Sequence, residues 1–459
     1  MKNRELVFVV VTVLVLSCIT LAGPHDRHPK SEMYDRYETF ARIISTIQEH
    51  YVKEVETEKL FRDAYSGMLQ GLDPHSAFLP PEAAEDLNVE TKGEFGGLGI
   101  EITINKQGWL TVITPLEGTP AFEAGVLAGD IITKIEGKST EGLGLREAVH
   151  KLRGPKGKPV TITVLHETGK EEEITIVRDI IELQSVKAAR FADEDAKIGY
   201  IRLSAFQANT VKNLDEAVEE LQKEGMRALV IDLRFNPGGL LTAAVEVADR
   251  FLEDGVVVST RGRTQKERVF EAKRKGTYAD FPLAVLISRR SASAAEIFAG
   301  AVQDHKRGLL VGMRTYGKGS VQTLFPLQGR KSAIRLTTAY YYTPSGRLIH
   351  RNPNNPDQET WGIEPDQKID VPLDEEVELW SHWREQHIQK VRERNGQPPK
   401  PETPEETEEP EAPGSDEKPE AKKEFRDRTL DAAVTALKTI LWTRERAPAA
   451  AAGAAAAAN

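Results

Sequence analysis

The chain has 459 residues and one cysteine, Cys18, so nucleophilic chemistry in the body must come from oxygen or nitrogen, and neither a disulfide nor a Cys-cluster zinc site can form. The best-placed oxygen is that of Ser293. It follows the apolar run Pro282-Leu283-Ala284-Val285-Leu286-Ile287 and precedes a predicted helix over 297–303. A serine at a strand-to-helix turn has its hydroxyl among unpaired backbone N–H groups, where a developing oxyanion is stabilised. Ser293-x-x-Glu296 is equally a capping box. A nucleophilic serine needs a base. His305, 12 residues on, lies in Asp304-His305-Lys306-Arg307, which reads as a solvated helix end, and no Gly-x-Ser-x-Gly elbow surrounds Ser293. Lys318 lies between glycines in Thr315-Tyr316-Gly317-Lys318-Gly319-Ser320. A lysine serves as base only where burial or neighbours depress its pKa from about 10.4; otherwise it is a surface-turn residue. Gly312-x-x-x-x-Gly317-Lys318 begins like a P-loop, but Gly319 stands where Ser or Thr should meet Mg²⁺, and a strand follows instead of a helix.

These residues need a scaffold, and from Lys197 onward the pattern supplies one. Strands are predicted at 199–203, 228–233, 282–287, 309–311, 320–325 and 333–342, and helices at 211–224, 240–251 and 297–303. Strands alternating with helices imply a layered α/β core. Upstream, residues 32–80 read as helices with two apolar stripes, Phe40, Ile43, Ile44 and Ile47, then Leu60, Ala64, Met68 and Leu72, expected as core. Between these regions Gly96-Gly97-Leu98-Gly99 leads into the period-two run Ile100-Glu101-Ile102-Thr103-Ile104. A glycine-rich turn presents successive backbone N–H groups to an anion, and the adjoining strand edge can pair with an extended peptide. By itself the run is also a plain tight turn.

Composition narrows the classes. Hydrophobic residues are 39% and charged residues 29%, which supports a folded core and excludes a polytopic membrane protein. The net charge of −10 argues against a nucleic-acid partner. Segment 396–424 carries ten acidic residues, four lysines and seven prolines and reads as a linker, followed by a helical pattern at 425–445 with Leu430, Val434, Leu437 and Leu441 on one face. At the N-terminus Lys2 and Arg4 precede an apolar run that ends at Ala22. A cleaved export signal, an uncleaved anchor and a lipidated Cys18 each fit 1–22, and all three put the body outside the cytoplasm, on the periplasmic or cell-envelope side.

Residues 93–178 resemble a PDZ domain. The loop before Ile100 is similar to that family's carboxylate-binding loop, and Ala124-Gly125-Val126-Leu127-Ala128-Gly129-Asp130-Ile131-Ile132 to its helix–turn–strand signature. Asp232-Leu233-Arg234-Phe235-Asn236-Pro237-Gly238-Gly239, Ser291-Ala292-Ser293-Ala294-Ala295-Glu296 and Gly317-Lys318-Gly319-Ser320-Val321-Gln322 follow in order. Together they resemble the carboxyl-terminal processing proteases of serine peptidase family S41, over about 32–375. The resemblance implies a crotonase/ClpP-like layered α/β protease core (179–375), an inserted PDZ domain (93–178) and a helical N-terminal region (32–92). It implies Ser293 as nucleophile, Lys318 as base, Gln322 orienting the lysine, and the amides of Gly238 and Ala294 as oxyanion hole. Gly97, Leu98, Gly99 and Ile100 would hold the C-terminus of a protein substrate with an apolar tail. No metal or cofactor is implied. Phe235 and Ala295 depart from commonly polar positions of the family pattern. Two rivals remain: a non-catalytic PDZ adaptor at the membrane, and a Ser-His hydrolase using His305. Arg153, at the end of the predicted helix 145–152, is either a solvated helix-end arginine or a group coupling PDZ occupancy to the active site.

Overall fold

The computed structural model describes residues 29–264, 266–273, 276–327, 331–352, 355, 358–394 and 425–456. The expected signal or anchor at 1–22 and the acidic linker at 396–424 lie outside the described residues. Among those described, no helix is long and apolar enough to cross a membrane. The chain divides into two compact units: residues up to Phe78 together with 334–336, and the remainder.

The first unit contains helices α1 (Pro29–His50) and α2 (Thr57–Gln70). Here the structure corrects the sequence. None of the eight stripe residues is buried; Ile43 is 53% exposed, Met68 63% and Leu72 64%. Phe40 meets Phe61 edge to face at 6.1 Å, and Tyr65 meets Phe78 at 5.2 Å. Two packed helices cover one seam and cannot enclose a side chain without a further layer.

Strand β1 (Ala77–Leu79) ends on the first residue of the second unit, where α3 (Pro81–Lys92) starts on a proline at its first position and stops at Gly93, φ 75°. Strand β2 (Glu94–Gly97) follows, then β3 (Ile100–Ile104), β4 (Leu110–Pro115), α4 (Pro120–Glu123), β5 (Ile131–Ile135), β6 (Lys138–Ser139), α5 (Leu145–Leu152), β7 (Pro159–Leu165), β8 (Glu171–Val177) and β9 (Asp179–Glu182). The sheet β3-β4-β5-β7-β8 is antiparallel, with β3 at one edge; β6 pairs with β5, and β2 pairs separately with β9. Leu98, Leu110, Val112, Ile132, Ile162 and Val164 fill its core.

The larger layer begins at β10 (Val186–Asp193) and β11 (Ile198–Leu203), then α6 (Thr210–Lys223), β12 (Ala228–Asp232), α7 (Leu241–Asp249), β13 (Val256–Gly262), β14 (Arg268–Glu271) and β15 (Leu283–Ile287). It continues through α8 (Ala294–Asp304), β16 (Leu309–Gly312), β17 (Ser320–Pro326), β18 (Ala333–Tyr342), β19 (Gln367–Lys368), α9 (Leu373–Arg394) and α10 (Arg428–Ala456). The sheet order is β10-β11-β12-β15-β16-β19, parallel except at β10. Strands covered on both faces must be apolar on both, which is why 228–231 and 283–287 are unbroken apolar runs. One face, with Ile201, Leu229, Ile231, Val285 and Ile287, packs on α6, α7 and α8. The other, with Tyr200, Val230, Leu286 and Val311, is covered by Ala433, Leu437 and Leu441 of α10. The predicted 425–445 helix thus forms a layer against the six-stranded sheet.

Candidate active site

Three adjacent parallel strands deliver the site. Asp232, at the end of β12, is in register with Leu286, and Ile287, ending β15, with Gly312, ending β16. The loops that follow carry Gly238, Ser293 and Lys318, and all three leave the sheet at its carboxyl edge, where open α/β sheets place their ligand sites.

Ser293 sits at the turn from β15 into α8 with φ 55° and ψ −115°. A non-glycine residue there costs on the order of 1–3 kcal/mol and persists only when its surroundings fix it. They do so through Glu296. Its side chain is fully buried. Oε2 accepts the Ser293 amide and the Lys318 amide, each at 2.8 Å; Oε1 accepts the Gly317 amide at 2.7 Å and the Thr315 hydroxyl. The Ser293 and Lys318 amide nitrogens therefore lie within twice 2.8 Å of each other. Four donors fill the acceptor sites of an ionised carboxylate, which has no proton to give. Burial nonetheless pushes the Glu296 carboxyl above its ordinary range, with those hydrogen bonds opposing the shift. The sequence reading found the cap, since Ser293 N–H does bond Glu296, but missed that the same oxygen holds the lysine loop. Tyr341 is a further tie: its hydroxyl lies 3.0 Å from the Ser293 carbonyl oxygen and also against the Lys318 carbonyl.

A Gly-x-Ser-x-Gly elbow relieves crowding with glycines beside the serine. Here the relief comes from another loop. A Cβ on Gly238, whose φ is 102°, would meet Ser293 Cβ at 2.7 Å and Ala294 N at 2.9 Å. Buried Asn236 fixes this loop: its Nδ2 donates to the Leu203 carbonyl (2.9 Å) and its carbonyl accepts the Ala292 amide (3.0 Å). Its Oδ1 accepts the Gly238 amide at 2.9 Å. That predicted oxyanion donor therefore has an internal partner, which an incoming carbonyl oxygen must share or displace. Phe235, at φ 63°, packs on Trp380 and Trp383 of α9 at 5.5 and 5.7 Å, which accounts for an aromatic residue there.

The remaining predicted residues fall as follows. Gln322 Nε2 donates to Ser320 Oγ (2.9 Å) and Thr337 Oγ1 (3.3 Å). His305 caps the far end of α8, about 18 Å from Ser293 at 1.5 Å per residue, with Nε2 2.7 Å from the Val256 carbonyl oxygen. That separation removes His305 as the base of Ser293. Gly317-Lys318-Gly319 leads into β17, not into a helix, so the P-loop reading fails too.

Beside the smaller sheet, Gly97 ends β2 of the β2–β9 pair, Leu98 is buried and Ile100 starts the edge strand β3. The Leu98 carbonyl accepts the Ala121 amide at 2.9 Å; the Gly99 carbonyl accepts the Leu116 amide at 2.7 Å and the Thr119 hydroxyl at 3.1 Å. In a trans peptide the next N–H points opposite to the carbonyl, so the amides of Gly99 and Ile100 face away from these partners. Arg153 is not simply solvated: it bonds Asp86 of α3 at 3.0 Å and lies 4.6 Å over Phe95.

The chain is similar to known proteins over most of its length. The Peptidase family S41 model matches residues 197–369, and a PDZ domain model matches 111–165, downstream of the Gly96–Gly99 loop. The carboxy-terminal-processing protease of Bartonella bacilliformis is 43% identical over 381 residues, 82% of this chain and 84% of that protein. The carboxyl-terminal-processing protease of Synechocystis is 38% identical over 341 residues, 73% of this chain and 77% of that one. Among solved structures, the photosystem II D1 C-terminal processing protease is 32% identical, covers 71% of this chain and 86% of its own, and has a TM-score of 0.40. The two family models and these relatives define a serine peptidase with a PDZ domain. The chain belongs to the carboxyl-terminal-processing proteases of peptidase family S41.

Proposed function

We propose that this chain is an endopeptidase that captures the C-terminal tail of a protein substrate in its PDZ domain and cleaves the chain with a Ser293–Lys318 dyad. Its core is read as crotonase/ClpP-like, with PDZ and helical N-terminal additions, and its setting as exported: periplasmic or at the cell envelope, held by the N-terminus where that is retained. The observation that carries the dyad is the shared Glu296 oxygen, which ties the amides of Ser293 and Lys318 to one atom.

The steps follow from general acid–base chemistry. Lys318, in its neutral form, takes the hydroxyl proton as Ser293 Oγ bonds to the scissile carbonyl carbon. The oxyanion is met by the amides of Ala294 and Gly238, the latter released from Asn236. The C–N bond breaks, Lys318 returns its proton to the leaving amine, and an acyl-enzyme remains. Water, deprotonated by Lys318, hydrolyses it. Gln322 steadies the lysine from β17. In the PDZ domain the outward amides of Gly99 and Ile100 receive the terminal carboxylate, the β3 edge pairs with the tail, and Gly97 and Leu98 shape the loop.

The test is turnover of an unfolded protein bearing either an apolar or a charged C-terminal tail. Preferential cleavage of the apolar-tailed form supports the reading. Equal cleavage of both removes tail recognition, and binding without cleavage is the result expected of an adaptor.

A further inference from the structure

We infer that Asp427, beyond the acidic linker, is a positioning residue of the protease that holds the Gly238 loop through Arg234. This rests on the proposed oxyanion role of that loop. Arg234 is 5% exposed, inside the turn that leads to Gly238. Its Nε and Nη2 bond the Asp232 carboxylate at 2.6–3.0 Å, and its amide also bonds Asp232. The outer side of the guanidinium is taken by Asp427: Nη1 to Oδ1 and Nη2 to Oδ2, both 2.7 Å. This is a bidentate, charge-assisted pair, the geometry that fixes a guanidinium in orientation as well as place. Burial alone would weaken the Arg234 charge, but the two carboxylates outweigh it; burial likewise opposes the Asp427 charge, and Arg234 holds that carboxyl below its ordinary range. Trp383 covers the guanidinium at 5.3 Å.

Asp427 is brought there by the helix it starts. Its Oδ1 accepts the Leu430 amide at 3.0 Å, so it is the cap of α10. Leu437 and Leu441 dock that helix on the sheet, and Arg428 bonds Glu375 of α9 at 2.7 Å. A capping aspartate needs only its neighbouring amides. This one also spends both oxygens on a buried arginine 193 residues away, five residues or fewer from each glycine of the loop beside the nucleophile. A docked terminal helix is therefore part of what keeps Gly238 against Ser293.

The experiment uses the full chain and separates positioning from capping. Asparagine caps a helix as well as aspartate, so Asp427→Asn keeps the cap and removes the charge facing Arg234. Leu221→Ala, on α6 and against Gly199 at the opposite edge of the sheet, serves as a loss of stability that leaves α10 and Arg234 untouched. With an apolar-tailed unfolded substrate, Asp427→Asn is expected to lower kcat about tenfold or more with KM within about twofold, and Asp427→Glu to restore part of it. Leu221→Ala is expected to lower the Tm while keeping kcat near the parental value below that Tm. Parental kcat in Asp427→Asn, or a loss no greater than Leu221→Ala shows, overturns the inference while leaving the site reading intact. An intact parent that does not cleave overturns both.

Discussion

The two glycine loops proposed for catalysis and for tail binding are held in opposite ways. Gly238 and Gly99 both have positive φ, 102° and 80°, and both lack room for a Cβ: the first would strike Ser293 Cβ at 2.7 Å, the second Thr119 Cβ at 2.2 Å. Around Gly238 the restraints are buried and charged, with Asp232, Arg234, Asp427 and Glu296 spanning three segments of chain. Around Gly99 they are neutral hydrogen bonds, and the loop opens onto a sheet edge. The difference fits the tasks proposed for the two loops. A reacting centre gains from donors and a nucleophile fixed before substrate arrives, because no reorganisation is then needed at the transition state. A tail-binding edge must stay unpaired until a peptide adds its own strand.

The contrast predicts where substitutions act. The largest effect is expected from Ser293→Ala, with turnover of an apolar-tailed substrate falling by about 10⁴-fold or more while tail-peptide binding persists; calorimetric binding beside a cleavage assay checks both halves. Next is Glu296→Gln. It turns one acceptor oxygen into a donor facing N–H groups, leaving either the Ser293 and Lys318 amides or the Gly317 amide without an acceptor. A stability loss of about 2–4 kcal/mol in urea unfolding is expected, with turnover down more than tail binding. Gly238→Ala follows, with kcat lowered about 100-fold, the scale of one lost oxyanion donor, and KM little changed. Gly99→Ala is the smallest. It is expected to raise KM for tailed substrate several-fold while kcat at saturation stays near the parental value. A kcat defect in Gly99→Ala with unchanged KM would break the division of labour between the two loops.

Much of this was legible in the sequence because strand and loop patterns are local. The apolar runs at 228–233 and 282–287 are the central strands, and the segments carrying Gly238, Ser293 and Lys318 leave one edge of the sheet. The helical stripes from Phe40 to Leu72 were misread because periodicity reports a face and says nothing of what covers it. Glu296 carried a signal that passed unweighed: a carboxylate in the apolar segment Ala294-Ala295-Glu296-Ile297-Phe298 must find donors, and it found four. Asp427 had no such mark. Its partner is 193 residues upstream, and only the docking of α10 joins them.

The central claim is that Lys318, and no histidine, serves Ser293. Turnover of the apolar-tailed substrate by the full chain, compared with Lys318→Ala and His305→Gln, tests it directly. The account predicts that Lys318→Ala is inactive although folded, and that His305→Gln, altered about 18 Å from the serine, cleaves within about threefold of the parental rate. Parental turnover by Lys318→Ala, or inactivity of a folded His305→Gln, would contradict it.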